Sequence, residues 1–523
     1  MSRFLVTEPS SGQVCDEGPL VDDGSKAGPR LASATLFLDC PMNLGDYASH
    51  DATAIAQLIR SGEVSKAEVE SAARQAIAKV NPELNAVVGE VFDRPLDADP
   101  AGPFAGVPFA LKDLVCHAAG VTHEMGSRFV KGLVMPHDTH LMTKFRAAGV
   151  ATICRTNTPE FGINASTEPL ANGPTRNPWD PTRSAGGSSG GSAALVAAGA
   201  LPFAHANDGG GSIRIPAANC GVVGLKPTRG RVAIGPDFDS PIGGLGIEFA
   251  VTRSVRDAAG LLDEVQGPAP GELFWIAPPA RPYRAEVGAD PGRLKVVISA
   301  KPPTAAPVDA ESVAALDLVA RALESMGHDV AAGEPPVPVA AFEQAVVTYF
   351  ITFAAHGVTI LAQLLGRAPS PDNLEATTLA CYRAAQRLTA LDLALAEANR
   401  NLVNRAVGSW FETVDLLVTP TTAGPAWPLG WMNANDSSLD AAGWFTKVFT
   451  KIPFTALFNM TGQPAISLPL GETKAGLPIG IQLVARYGRE DLLFRVAGRL
   501  EEAMPWADRR PRIHVLEPVA AGR

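Results

Sequence analysis

The pattern of apolar and polar positions divides the chain into stretches of different character. Residues 1–41 mix Gly, Ser, Pro and Asp with no apolar period, which predicts a flexible N-terminal extension outside the fold, with Met42 as an alternative natural start. From Asp51 the pattern turns helical. DATAIAQLIRSG closes at Gly62, and Ser65 with Glu68 forms a capping box before Val69, Ala72, Ala73, Ala76, Ile77 and Val80 recur on one face. Asn81-Pro82 predicts a turn. Short β-like runs at 85–91, 107–115 and 150–154 then alternate with a helical stretch at 139–148, the alternation of an α/β layer architecture. Farther on, 308–326 reads as helix, roughly 335–412 as several helices with little strand, 416–420, 465–470 and 479–484 as strands, and 491–504 as a last helix. Strand-forming segments lie on both sides of the helical stretch. We therefore expect one continuous domain over 42–523, with the least diagnostic segment, 335–450, embedded in it as the region that sets substrate specificity.

Composition narrows the class. The chain has 523 residues, 46 % hydrophobic and 19 % charged, enough to bury a large core. Lys and Arg number 44 against 54 Asp and Glu, a net charge of −10 with no basic run, so nothing points to nucleic acid or an anionic membrane and a small neutral substrate fits better. The N-terminus lacks an apolar signal core and no run of about 18 apolar residues follows, which makes a cytoplasmic protein without a membrane span the default. The six cysteines, Cys15, Cys40, Cys116, Cys154, Cys220 and Cys381, have neither C-x-x-C nor Cys/His spacing. That argues against a disulfide framework and a zinc site, and no metal or cofactor is expected.

The candidate chemistry sits where glycine crowds the chain, at 173–230. Gly186-Gly187-Ser188-Ser189-Gly190-Gly191-Ser192 and Asp208-Gly209-Gly210-Gly211-Ser212-Ile213-Arg214 each place a serine in a glycine-rich turn. Glycine lets successive backbone N–H groups converge without Cβ clashes, as an oxyanion hole requires, and Gly209, Gly210, Gly211 and Ser212 are the natural donors. A serine needs a group that takes its proton. Lys112, in the apolar run Gly106-Val-Pro-Phe-Ala-Leu-Lys-Asp-Leu114, is the candidate base, because burial disfavours the ammonium form. Asp113 would face the opposite side of the strand.

These residues closely resemble the amidase signature family, over nearly the whole chain from about 45 to 510. Further matching segments are Thr156-Asn-Thr-Pro-Glu160, Asn177-Pro-Trp179, Gly224-Leu-Lys-Pro-Thr228, Gly462-Gln-Pro464 and Pro478-Ile-Gly-Ile-Gln482. Within the family the pattern looks most like the 6-aminohexanoate cyclic dimer hydrolases and related acylamidases. The resemblance implies a single domain with a central mixed, twisted sheet flanked by helices on both faces. It also implies Ser212 as nucleophile, Ser188 as a bridging serine after a cis peptide, Lys112 as terminal base, and Gly162, Ile163 and Asn164 facing the substrate. The implied activity is hydrolysis of a linear or cyclic amide, an anilide or a carbamate, with esters as side substrates. One departure is visible: the family often carries a side chain where this chain has Gly209 and Gly210 after Asp208.

Plainer readings compete. Gly186-x-Ser188-x-Gly190 matches a nucleophile elbow, but no strand precedes it. His205, seven residues before Ser212, reads better as a hydrogen-bonded strand histidine than as a base. Lys226 reads as structural or surface-exposed in a proline-containing turn, and Asp208 and Arg214 as partners that stiffen the Ser212 turn. Tyr349, Phe350, Phe353, Tyr382, Trp427 and Trp444 could line an acyl pocket or fill the core. No Walker-type phosphate loop is present. Two other functions stay open: the amidase subunit of a glutamine-dependent amidotransferase, and an amide-binding protein without catalysis. A homodimer is one open assembly state.

Overall fold

Side-chain caps start the first helices where the sequence places them. In the computed structural model, which describes residues 42–517, Asp51 accepts from Ala54 N ahead of the Ala52–Ser61 helix, and Gly62 closes it at φ 76°. The extension expected over 1–41 lies outside the described residues. The Ser65–Glu68 capping box opens the Lys66–Leu84 helix. That helix continues through Pro82, where a turn was expected. Its end is fixed by Asn81 instead: Asn81 O accepts from Asn85 N at 2.8 Å, and its Oδ1 accepts from Ala86 N and Val87 N at 2.8 and 3.0 Å. With those N–H groups turned back to the helix, the run expected at 85–91 keeps only two residues of strand.

The strands are β1 (Val87–Val88), β2 (Pro108–Lys112), β3 (Ala151–Thr156), β4 (Phe203–Asp208), β5 (Val223–Lys226), β6 (Ile247–Thr252), β7 (Lys295–Ile298), β8 (Asp329–Ala332), β9 (Leu416–Pro420), β10 (Ala465–Glu472) and β11 (Pro478–Ala485). Eight of them form a mixed sheet in the order β4-β6-β5-β10-β11-β9-β7-β8, antiparallel except where β7 joins β8 and β9. The other three form a small sheet, β1-β3-β2, with β2 and β3 parallel. Helices pack along the large sheet, among them Arg214–Cys220, Val255–Val265, Ala310–Ser325 and Glu490–Ala503. This is the helix-flanked mixed α/β sheet that the family resemblance implies. Strands β5, β6, β7 and β8 were not expected from the sequence, which read 224–228 as a proline-containing turn.

Strand β2 lies beside edge strand β4. Phe109 meets Phe203 edge-on with ring centroids 5.2 Å apart, and the Lys112 N–H donates to His205 Nδ1 at 3.2 Å. This side-by-side placement brings the end of β2 to the end of β4. A second apolar cluster gathers Val339–Leu365 and Ala390–Trp410, helices within the stretch expected over roughly 335–412, and Ala441–Phe449, a helix the sequence did not announce. The Val339–Leu365 helix is long and apolar enough by composition to cross a membrane; here Phe342, Val346, Tyr349, Ala354 and Val358 on it are buried within the domain.

Candidate active site

Three chain segments meet at the end of β4. Lys112 ends β2, Ser188 precedes the Gly190–Ala197 helix, and Ser212 lies in the turn between β4 and the Arg214–Cys220 helix. Lys112 is fully buried, Ser188 is buried and Ser212 is partly exposed. Lys112 Nζ lies 2.7 Å from Ser188 Oγ and 2.5 Å from Asn207 Oδ1. The Gly187–Ser188 peptide is cis. Ser188 and Ser212 line one cavity of about 410 Å³, whose other walls include Phe161, Ile163, Ile242, Phe350 and Phe353.

Burial pushes the Lys112 ammonium down from the ordinary 10.5 to about 7, against the pull of Glu248 and Asp208. A neutral amine has two N–H bonds and one lone pair. With one N–H on Asn207 Oδ1, the lone pair is free to accept the Ser188 hydroxyl proton. Asn207 was missed by the sequence reading. It is one residue before Asp208 on β4, and its side-chain amide also donates to Leu114 O at 2.9 Å, so it ties β4 to the exit of β2. Only the placement of β2 beside β4, absent from any local pattern, reveals it.

Asp208 and Arg214 brace the Ser212 turn, as expected. The guanidinium of Arg214 is completely buried and all its donors are used, on Asp208 Oδ1 and Oδ2 at 2.9 Å each, Thr455 O at 3.0 Å, Gln482 Oε1 at 2.7 Å and Asn459 Oδ1 at 2.6 Å. Burial would raise the Asp208 carboxyl, but Arg214 outweighs it and holds the group at about 2. Asp208 Oδ1 also accepts from Gly211 N at 2.6 Å. The Gly211 N–H is thereby turned away from the cavity, a correction to its place among the expected oxyanion donors. The N–H groups of Gly209, Gly210 and Ser212 have no acceptor among the described residues.

The remaining candidates separate cleanly. His205 faces away from both serines. Its Nδ1 accepts from the Lys112 N–H, so its Nε2 carries the proton and donates to Glu248 Oε2 at 2.7 Å. Lys226 is not on the surface: it ends β5, is fully buried and donates to Pro227 O at 2.9 Å. Of the six aromatic candidates only Phe350 and Phe353 line the serine cavity; Trp427 donates to Ser166 Oγ at 2.7 Å and Trp444 to Ile163 O at 3.2 Å, behind its wall.

Gly162 and Ile163 line the serine cavity and also an adjoining one of about 350 Å³, walled by Ile215, Phe445, Val448 and Phe449; Asn164 reaches only the second. Asn164 is 4 % exposed, and its amide donates to Met432 O and accepts from Ser166 N, which holds its own loop. Gly162 has φ 69°, a conformation that favours glycine, and a Cβ there would collide with Leu114 Cδ2 and lie 3.3 Å from Ser188 Oγ, so a side chain would crowd both. A Cβ on Gly209 would collide with Ile242 Cδ1. The space that a side chain at 209 would fill is therefore taken by Ile242. The carboxylates on the cavity wall, Asp208 and Glu248, are already bonded to Arg214 and His205.

Residues 68–494 match the amidase family. Over 479 residues the chain is 41 % identical to the 6-aminohexanoate-cyclic-dimer hydrolase of Paenarthrobacter ureafaciens, covering 88 % of this chain and 96 % of that protein. It is 40 % identical over 480 residues to the enzyme of the same name from Pseudomonas sp. (strain NK87), with the same coverage. The structure of a 6-aminohexanoate cyclic dimer hydrolase complexed with substrate superposes with a TM-score of 0.83 at 40 % identity, over 89 % of this chain and 99 % of that one. The chain belongs to the amidase signature family and is a hydrolase of C–N amide bonds.

Proposed function

We propose that the protein cleaves a compact, uncharged amide, cyclic or linear, or an anilide or carbamate, through an acyl-enzyme on Ser212. The observation that carries this reading is the buried Lys112–Ser188 contact of 2.7 Å, opening onto a cavity that Ser212 shares. Ser212 Oγ attacks the carbonyl carbon and passes its proton to Ser188 Oγ, while the Ser188 proton moves to the neutral Lys112 amine. The N–H groups of Gly209, Gly210 and Ser212 are the donors free to meet the oxyanion. Collapse of the tetrahedral intermediate breaks the C–N bond, and the proton returns from Lys112 through Ser188 to the leaving amine. Water then attacks the ester by the same relay and releases the acid.

The substrate class follows from the walls. Two apolar cavities adjoin Ser212, one for the acyl part and one for the amine part, and the charged groups beside them are paired with each other. That favours a neutral substrate with methylene or aryl groups on both sides of the amide, in keeping with the cyclic 6-aminohexanoate dimer of the relatives' name. The test is hydrolysis of a p-nitroanilide, the cyclic aminohexanoate dimer, an aryl carbamate and glutamine, each beside Ser212→Ala. Turnover of one of the first three that disappears in the variant is expected. Turnover of glutamine alone would move the protein to the amidotransferase-subunit reading, and activity that survives Ser212→Ala would sink the nucleophile assignment.

A further inference from the structure

A cluster of imidazoles and a carboxylate lies outside the serine site, formed by residues too far apart in sequence for any spacing motif. His117 Nδ1 lies 2.9 Å from Val115 O. A carbonyl only accepts, so Nδ1 carries the proton and Nε2 is the nitrogen left for another partner. The His117 residue is 3 % exposed, its Nε2 has no hydrogen-bond partner, and it faces Asp237 Oδ2 at 3.4 Å. On the other side of the same carboxylate, His137 Nε2 lies 3.1 Å from Asp237 Oδ1. All three donor atoms fall within 4.8 Å of one another. A bare imidazole lone pair aimed at a carboxylate oxygen is repulsive unless a positive charge lies between them.

We propose that His117, His137 and Asp237 bind one divalent first-row transition-metal ion, with Zn²⁺ the best match and solvent in the fourth position. Two imidazoles with one carboxylate suit zinc better than magnesium or calcium, which favour all-oxygen shells. Tetrahedral bonds of about 2.0–2.1 Å put ligand atoms roughly 3.3 Å apart; each imidazole is near that distance from an Asp237 oxygen, 3.4 Å from Oδ2 for His117 and 3.1 Å from Oδ1 for His137, and the set, within 4.8 Å, has to contract slightly to close on one ion. The Nδ1–H of His117 held by a backbone carbonyl is the support that orients a ligating imidazole and raises its basicity. The site stands apart from the serine relay and does not depend on its assignment.

The ion would fasten two walls of the serine cavity to each other. Val115 lines that cavity at φ 65°, a conformation poorly tolerated by a β-branched residue, and its carbonyl is the one His117 holds. Asp237 precedes Pro241, Ile242 and Gly246, which line the cavity from another segment.

The experiment uses the full chain, stripped with a chelator, dialysed, and titrated with Co²⁺ as a spectroscopic probe and with Zn²⁺ by equilibrium dialysis. The paired variant is His137→Gln with Asp237→Asn, whose side chains are 43 % and 32 % exposed, so the fold is kept; circular dichroism checks it. We expect one more equivalent of Zn²⁺ on the wild type than on the variant, visible d–d bands of low-coordinate Co²⁺, and Co²⁺ affinity lowered at least about tenfold in either single variant. Equal stoichiometry and affinity in wild type and double variant would overturn the proposal. So would a near-ultraviolet thiolate-to-cobalt band as the only signal, which would put the ion on a cysteine.

Discussion

Replacing Lys112 by methionine tests whether the lysine is held neutral by burial. The lysine falls from 10.5 in the open chain to about 7 in the folded protein, chiefly because its ammonium is removed from water. Between those two values the unfolded chain binds a proton that the folded one does not, so the stability contributed by this group rises with pH. The slope is about 1.4 kcal/mol per pH unit. Glu248, pushed up by burial to about 8, works with the opposite sign below that pH, because the folded form binds the extra proton. The clean window is therefore pH 8–10, where the stability difference between wild type and Lys112→Met grows by about 3 kcal/mol. Urea unfolding at pH 8, 9 and 10 with both proteins measures it. A difference that stays flat with pH would mean that Lys112 keeps an ordinary lysine affinity for its proton, and the neutral-amine relay would fail with it.

The same chemistry predicts that labelling of Ser212 by a fluorophosphonate rises with pH through about 7 and then levels off, the acid limb being Lys112; a midpoint set by an ordinary lysine would contradict it. Asn207→Leu removes the acceptor that holds Nζ and should lower kcat/KM by roughly 10- to 150-fold, the worth of one hydrogen bond to a charged group, with the acid limb moved to lower pH. Arg214→Met leaves Asp208 buried without its cation and should cost about 3–5 kcal/mol, read as a shift in the denaturant midpoint. Gly209→Ala must displace Ile242 into the cavity; KM for the preferred amide should rise roughly tenfold with little change in denaturant midpoint.

The local signals were legible where one segment decides the outcome. Asp51, Ser65 with Glu68, and Thr139 cap helices because a side-chain oxygen and an N–H three residues on are all that a cap needs. Pro82 misled because its helix end is decided by Asn81, whose side chain reaches across to Ala86 and Val87. Strands β7 and β8 went unseen because each is four residues long and only Val296 is fully buried, Val297, Ile298 and Val330 being half-buried, and they are ordered by pairing with each other and with β9. The Ser188 and Ser212 candidates come from glycine-rich turns and Lys112 from an apolar run, and the fold brings all three to the end of β4. Asn207, Glu248 and the burial of Lys226 depend on which strands are neighbours, and sequence spacing carries no record of that.

That dependence explains how a lysine comes to be basic here without being charged. A carboxylate free to pair with Lys112 would draw it back toward an ammonium, and two carboxyl groups lie close enough to do so, Asp208 and Glu248. Asp208 is held by both arms of Arg214 and by Asn459, so its charge is spent on partners inside the nucleophile turn. Glu248 is bonded to His205 and is raised by burial to about 8, so between pH 7 and 8, where the proposed base is already mostly neutral, it stays mostly protonated. In the proposed relay, the groups that keep Lys112 available as a base are thus the ones that occupy its potential counter-ions. Arg214 acts on the relay from a distance in this sense: losing it would free Asp208 to stabilise the Lys112 ammonium, and the acid limb of Ser212 labelling would move to higher pH, opposite in sign to the shift from Asn207→Leu.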